Sequence, residues 1–195
     1  MEPERKHYPI TVEMYHIMAD SGAFGPDERL ELIDGEIIEM SPIGSRHARC
    51  VTFLAEFLNR HFLELFIVSV QNPIVATDRT EPQPDIALLK RRDDLYIDQL
   101  PTGSDVALVI EVSDSTVAFD RARKIPNYAA AGIDEAWLID LESEHVEVHS
   151  MRKENAYGLV KIYLRGENAV SETLAELTLP VNDILGQPGG VGKGV

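Results

Sequence analysis

The stretch VALVIEV, Val106 to Val112, decides how the rest of the chain is read. A continuous apolar run rich in β-branched residues suits a strand covered on both faces, in the middle of a sheet. Glu111 breaks the run. Burying a carboxylate there is costly unless a cation or a hydrogen-bond donor compensates it. An arginine or nearby backbone donors could do so, and so could a metal ion.

The flanking sequence builds a sheet around this strand. Upstream, Pro84 and Asp85 open the apolar run Ile86 to Leu89, a second strand, and Phe66 to Val70 and Ile74 to Ala76 read as two more, split by Asn72 and Pro73. From Ser45 to Glu64 the apolar positions Val51, Leu54, Ala55, Leu58, Phe62 and Leu65 recur at steps of three and four, which predicts one buried stripe on the longest helix. Downstream, a helix is expected from about Phe119 to Ala131, stopped by Gly132, with Pro126 kinking it or delaying its regular start. The run AWLI, Ala136 to Ile139, reads as another buried strand. His145 to Ser150 and Tyr157 to Leu164 read as antiparallel strands around a turn near Glu154 and Asn155.

Ahead of the long helix, Thr11 can cap a short amphipathic helix ending near Asp20. Arg29 to Ile33 and Glu36 to Met40 flank Asp34-Gly35, a pair suited to a type I′ hairpin turn, where both central residues need positive φ. The expected class is α/β (α+β): one mixed central sheet flanked by helices, with an N-terminal hairpin and C-terminal antiparallel strands. Length predicts one domain over 1–185, followed by a flexible glycine-rich tail over 186–195.

Composition narrows the function. The 195 residues are 44% hydrophobic and 26% charged, an ordinary globular balance. No apolar stretch is long enough for a membrane span and the first residues lack a signal-peptide core, so a cytoplasmic protein is expected. A lone cysteine, Cys50, excludes a disulfide framework and a thiolate metal site, and reads as a small buried residue. The net charge of −15 argues against broad attraction to polyphosphate. It is unevenly spread, with 10 acidic and 3 basic residues over 1–40 but 5 acidic and 7 basic over 41–92. Any anion-facing surface must therefore be local. The basic groups Arg46/Arg49/Arg60, Lys90/Arg91/Arg92 and Arg121/Arg123/Lys124 are candidates, with solvated surface charge as the plain alternative.

Chemistry centres on three residues. Adjacent strands lie about 4.8 Å apart, so Asp85 and Glu111 at matching heights can share one divalent cation. Asp120, Lys124 and Tyr128 fall on one helix face. If that face meets the strand ends, Lys124 can orient a water and stabilise charge developing on a phosphate, which suits phosphodiester hydrolysis. Tyr128 and Trp137 read most simply as packing groups. His145 and His149 can share a strand face, but no neighbouring residue in the sequence completes a metal site.

The series ELIDGE (Glu31 to Glu36), MSP (Met40 to Pro42), His47, Pro84-Asp85, EVS (Glu111 to Ser113), Asp120, Lys124, Tyr128 and GIDEAWLID (Gly132 to Asp140) resembles the Uma family of putative restriction endonucleases. The resemblance covers nearly the whole chain. It implies a restriction-endonuclease-like core of the PD-(D/E)XK superfamily, with Asp85 and Glu111 as metal ligands and Lys124 as the catalytic lysine. The superfamily's usual lysine, two positions after the glutamate, would fall at Ser113, and the resemblance implies a lysine moved to the following helix. Glu31 and His47 match family positions from which they would join the site as outer ligands or water-positioning groups; a hairpin carboxylate and a helix-start histidine are the plain alternatives. The implied function is an Mg²⁺-dependent (or Mn²⁺-dependent) DNA endonuclease, with weak or assisted DNA binding, no membrane partner and a possible homodimer. The competing expectation is a nuclease fold without catalysis, serving as an interaction or regulatory module. A glycosidase using two carboxylates ranks last, because only 7% of residues are aromatic.

Overall fold

The computed structural model describes residues 7–187. Helix α1 (Val12–Asp20) leads to the hairpin β1 (Leu30–Ile33) and β2 (Glu36–Glu39), then to α2 (Ser45–Phe62), β3 (Phe66–Val70) and β4 (Ile86–Lys90). A 3₁₀ turn, Gly103–Asp105, precedes β5 (Val106–Ser113). The crossover that follows is α3 (Val117–Phe119), a π-helical turn (Asp120–Lys124) and α4 (Ile125–Ala130). Then come β6 (Ala136–Asp140), β7 (His145–Lys153), β8 (Ala156–Leu164), β9 (Asn168–Val170), β10 (Thr178–Pro180) and α5 (Val181–Leu185).

Strands β3 to β8 form a mixed sheet in sequence order, and β5 lies inside it as the VALVIEV run predicts. Its pairing with β4 is antiparallel and its pairing with β6 parallel, the latter made possible by the helical crossover. Side chains alternate across β5. Leu108, Ile110 and Val112 join the core under α2, whose stripe Cys50, Val51, Leu54, Leu58 and Phe62 is buried, while Leu65, expected in that stripe, lies past the end of the helix and is exposed. Val109 joins a second core on the opposite face with Ile125, Tyr128, Ala136 and Leu138. Glu111 and Ser113 share that second face, which places the acidic group under the crossover.

Local chemistry explains the edges of these elements. Thr11 Oγ1 accepts from Met14 N at 3.2 Å and starts α1. Asp34 and Gly35 have φ of 53° and 79°, the left-handed pair expected of the hairpin turn. Pro126 sits in the first turn of α4, where its missing N–H costs least, and the π-helical turn absorbs the mismatch just before it.

Two expectations need correction. Ile74 to Ala76 is not a strand of the sheet: Val75 makes only an isolated bridge with Thr102, because Pro73 supplies no donor and the segment leaves the β3 edge. The end of the chain holds β9, β10 and α5, which were not anticipated, since elements of three to five residues carry too little periodicity to read. Of the predicted tail, residues 188–195 lie outside the described residues.

Candidate active site

One row of residues crosses three strands. Val70 pairs with Ile86 and Ile86 with Ile110, so the next residues outward are Gln71, Asp85 and Glu111. Asp85 and Glu111 are 7% and 3% exposed. The EVS segment keeps Glu111 on the β5 backbone, and the crossover brings Lys124 down onto it. Lys124 Nζ lies 3.5 Å from Glu111 Oε1, 3.0 Å from Glu31 Oε2 and 3.9 Å from Asp120 Oδ1. Hairpin, central strand and crossover thus meet at a single ammonium group.

Burial pushes the Glu111 carboxyl up to about 8, opposed by Lys124 and reinforced by Asp120, Asp85 and Glu31. The Tyr128 hydroxyl donates to Glu111 Oε1, and its own ionisation is pushed well up by burial and by that carboxylate. Burial alone would lower Lys124, yet Glu111, Glu31 and Asp120 together hold it above the ordinary lysine range. Ser113 is buried and donates to Asp120 Oδ2, as does Thr116 Oγ1 at 2.8 Å.

Asp85 has a separate set of partners. Its Oδ2 accepts from Val112 N at 2.9 Å and meets His47 Nε2 at 2.9 Å, while its Oδ1 accepts from Gln71 Nε2 at 3.0 Å. Gln71 holds the left-handed conformation at φ 53°, where β3 ends and the chain turns back over Asp85. His47 lies on the first turn of α2; its Nδ1 is buried and has no hydrogen-bond partner.

Glu31, His47, Asp85, Glu111 and Lys124 all line one cavity of about 270 Å³, together with Met40, Ser41 and Pro42 of the MSP segment. Five side chains expected from sequence therefore reach one place, in two bonded groups: Glu31–Lys124–Glu111 and His47–Asp85. Among the described residues, no three His, Cys, Asp or Glu side chains are arranged to hold a metal ion. The donor set available to a divalent ion is two carboxylates on adjacent strands. That fits Mg²⁺, which is commonly held by one or two protein carboxylates and completed by water and substrate phosphate.

Sequence reasoning missed three lining or supporting contacts. Gln71 and Arg29 line the cavity but belong to no motif, and the Tyr128 hydroxyl does more than pack. His145 and His149 are also not isolated. Both meet the Glu147 carboxylate, at 3.1 and 2.9 Å, and Arg121 donates to it as well. Burial would raise Glu147, but these bonds hold it well below the ordinary carboxylate range.

The fold is similar to that of a putative nuclease. The crystal structure of a putative nuclease belonging to DUF820 from Anabaena variabilis ATCC 29413 superposes with a TM-score of 0.70 at 18% identity, covering 91% of this chain and 98% of that one. No curated protein matches. The Uma2 family, described as putative restriction endonuclease, matches residues 12–182, and the chain belongs to that family.

Proposed function

We propose that the protein is a metal-dependent endonuclease that hydrolyses DNA phosphodiester bonds, with Asp85 and Glu111 as ligands of Mg²⁺ and with Mn²⁺ able to replace it. One observation carries the reading: Lys124 Nζ comes within 3.5 Å of a glutamate buried on the central strand, in a cavity that Asp85 also lines. A bound divalent ion would polarise a phosphoryl oxygen and acidify a bound water. The chain supplies the rest. Lys124 carries the positive charge that can stabilise a phosphorane-like transition state and orient the attacking water. Glu31 holds Lys124 in place. His47 fixes Asp85 through Nε2.

Purified protein should cut DNA only with a divalent ion, and Asp85→Ala should lower the rate by at least about 100-fold, the scale expected when a metal ligand or a transition-state contact is removed. Equal inertness of both proteins across duplex and single-stranded DNA with Mg²⁺ and Mn²⁺ would remove the enzyme reading. The ion pairs around Lys124 favour one alternative, a nuclease fold retained as an interaction module in which the lysine replaces the metal as the balancing charge. Titration with Mn²⁺ separates the two: the enzyme binds it in an Asp85-dependent way, and the module does not.

A further inference from the structure

The cavity has a charge problem. Glu31, Glu39, Asp85, Glu111, Asp114 and Asp120 all line it, whereas its Lys/Arg lining is Arg29 and Lys124. Lys124 is already held by three carboxylates. Lys124 acts on the reacting phosphate in the proposed reaction, so holding the nucleic-acid backbone here needs a further cation that the fold has not already used.

The basic groups legible in the sequence do not supply one. Arg46 donates to the Leu141 carbonyl and Arg49 to the carbonyls of Asp183 and Ile184. Arg60 pairs with Glu56, and Arg92 with Asp94. Lys90 and Arg91 donate to the carbonyls of Ser104 and Leu63. Arg121 is bound to Glu147, and Arg123 to Asp34 and Glu36. Arg79, Arg152, Lys161 and Arg165 each face a carboxylate. Among the described residues, the Lys and Arg side chains with neither an ion pair nor a hydrogen bond are Arg29 and Lys153. Lys153 is an exposed residue at the end of β7. Arg29 is half-buried at the base of β1, two residues before Glu31, and lines the cavity.

We propose that Arg29 is the phosphate-binding residue of this cavity, its guanidinium donating hydrogen bonds to the non-bridging oxygens of a nucleic-acid backbone. A guanidinium presents a planar fork of donors that matches a phosphate in bidentate fashion, and it stays charged at any working pH. It stays unpaired in a cavity that six carboxylates line, which suits a group whose partner is an incoming anion. The proposal deepens the nuclease reading and rests on it. It also explains how a chain of net charge −15 can hold a polyanion at one place only.

The test is equilibrium binding of a fluorescent 20-base-pair duplex and of its single strand, by anisotropy in Ca²⁺, to the full-length chain and to Arg29→Ala, Arg29→Lys and Lys153→Ala. Arg29→Ala should weaken binding about tenfold or more at low salt and flatten the salt dependence by about one phosphate contact. Arg29→Lys should restore part of the affinity, and Lys153→Ala should stay within about twofold of the parent chain. Parental binding by Arg29→Ala, or an equal loss in Lys153→Ala, overturns the assignment while leaving the nuclease reading in place. If the parent chain binds neither probe, both fall together. Should Arg29→Ala lack a cooperative thermal transition, Arg29→Gln carries the same comparison.

Discussion

Glu111 shows how one residue ties stability to the site. With no divalent cation bound, burial pushes its carboxyl from the ordinary 4.5 up to about 8. Between those values the folded state binds more protons than the unfolded one, so this residue's contribution is complete below pH 4.5 and is lost as pH rises through 8. Thermal midpoints should therefore decline over that window, and Glu111→Gln should flatten the decline. Lys124 provides the complementary case. Lys124→Met leaves Glu31, Glu111 and Asp120 without their shared cation and should cost about 3–5 kcal/mol in urea unfolding, as expected when one member of a buried ionic cluster is removed. A lysine that served only in catalysis would leave the unfolding midpoint unchanged. Both residues were legible in the sequence, because a lone glutamate in a β-branched run and an i,i+4 polar series on a helix are local signals. Gln71 and Arg29 were not. Gln71 meets Asp85 across 14 residues of chain, and nothing in the residues next to it marks that contact.

At the scale of elements, the crossover from β5 to β6 positions the chemistry. The π-helical turn places Asp120 and Lys124 over the C-terminal end of β5, and Pro126 lets regular α-helix resume directly afterwards. The far end of the crossover is set by a close approach. A Cβ built on Gly103 would lie 2.1 Å from the Ala131 carbonyl oxygen and 2.7 Å from Ala131 Cβ. Gly103→Ala must therefore push the turn before β5 away from the end of α4. It should destabilise the protein by about 1–3 kcal/mol, the usual cost of overpacking, as read in denaturant unfolding, and should lower activity more than a surface glycine change does. On β7, the alternation of His145, Glu147 and His149 was visible as a shared strand face, but that the carboxylate between them receives Arg121 from the crossover was not. A strand's period predicts which side a residue faces and is silent on what crosses over to meet it.

For the whole molecule, the decisive quantities are charge and topology. With a net charge of −15, long-range attraction to DNA is absent, so association should be slow and short-ranged and should weaken steeply as salt rises. Raising salt from 50 to 200 mM should lower duplex affinity by at least about tenfold if a few phosphates are contacted. An affinity insensitive to salt would point away from backbone recognition. Two copies are the simplest arrangement for cutting both strands of a duplex, and sedimentation at low and high salt would reveal such a dimer. No helix among the described residues is long and apolar enough to cross a membrane.

The sequence by itself determined the class of fold, the placement of β5 at its centre, the hairpin turn and Asp85, Glu111 and Lys124 of the candidate site, because each is written in local periodicity, turn chemistry or polarity out of context; Glu31 and His47 entered only through the resemblance to the Uma family. Only the tertiary structure decided how those five divide into an ion cluster around Lys124 and an Asp85–His47 pair, which cations the fold uses up, and that Arg29 is left beside the cavity. These depend on contacts between residues far apart in the chain. Their energies come from shared burial and from the distance between charges, and both quantities exist only once the sheet and its crossover have closed.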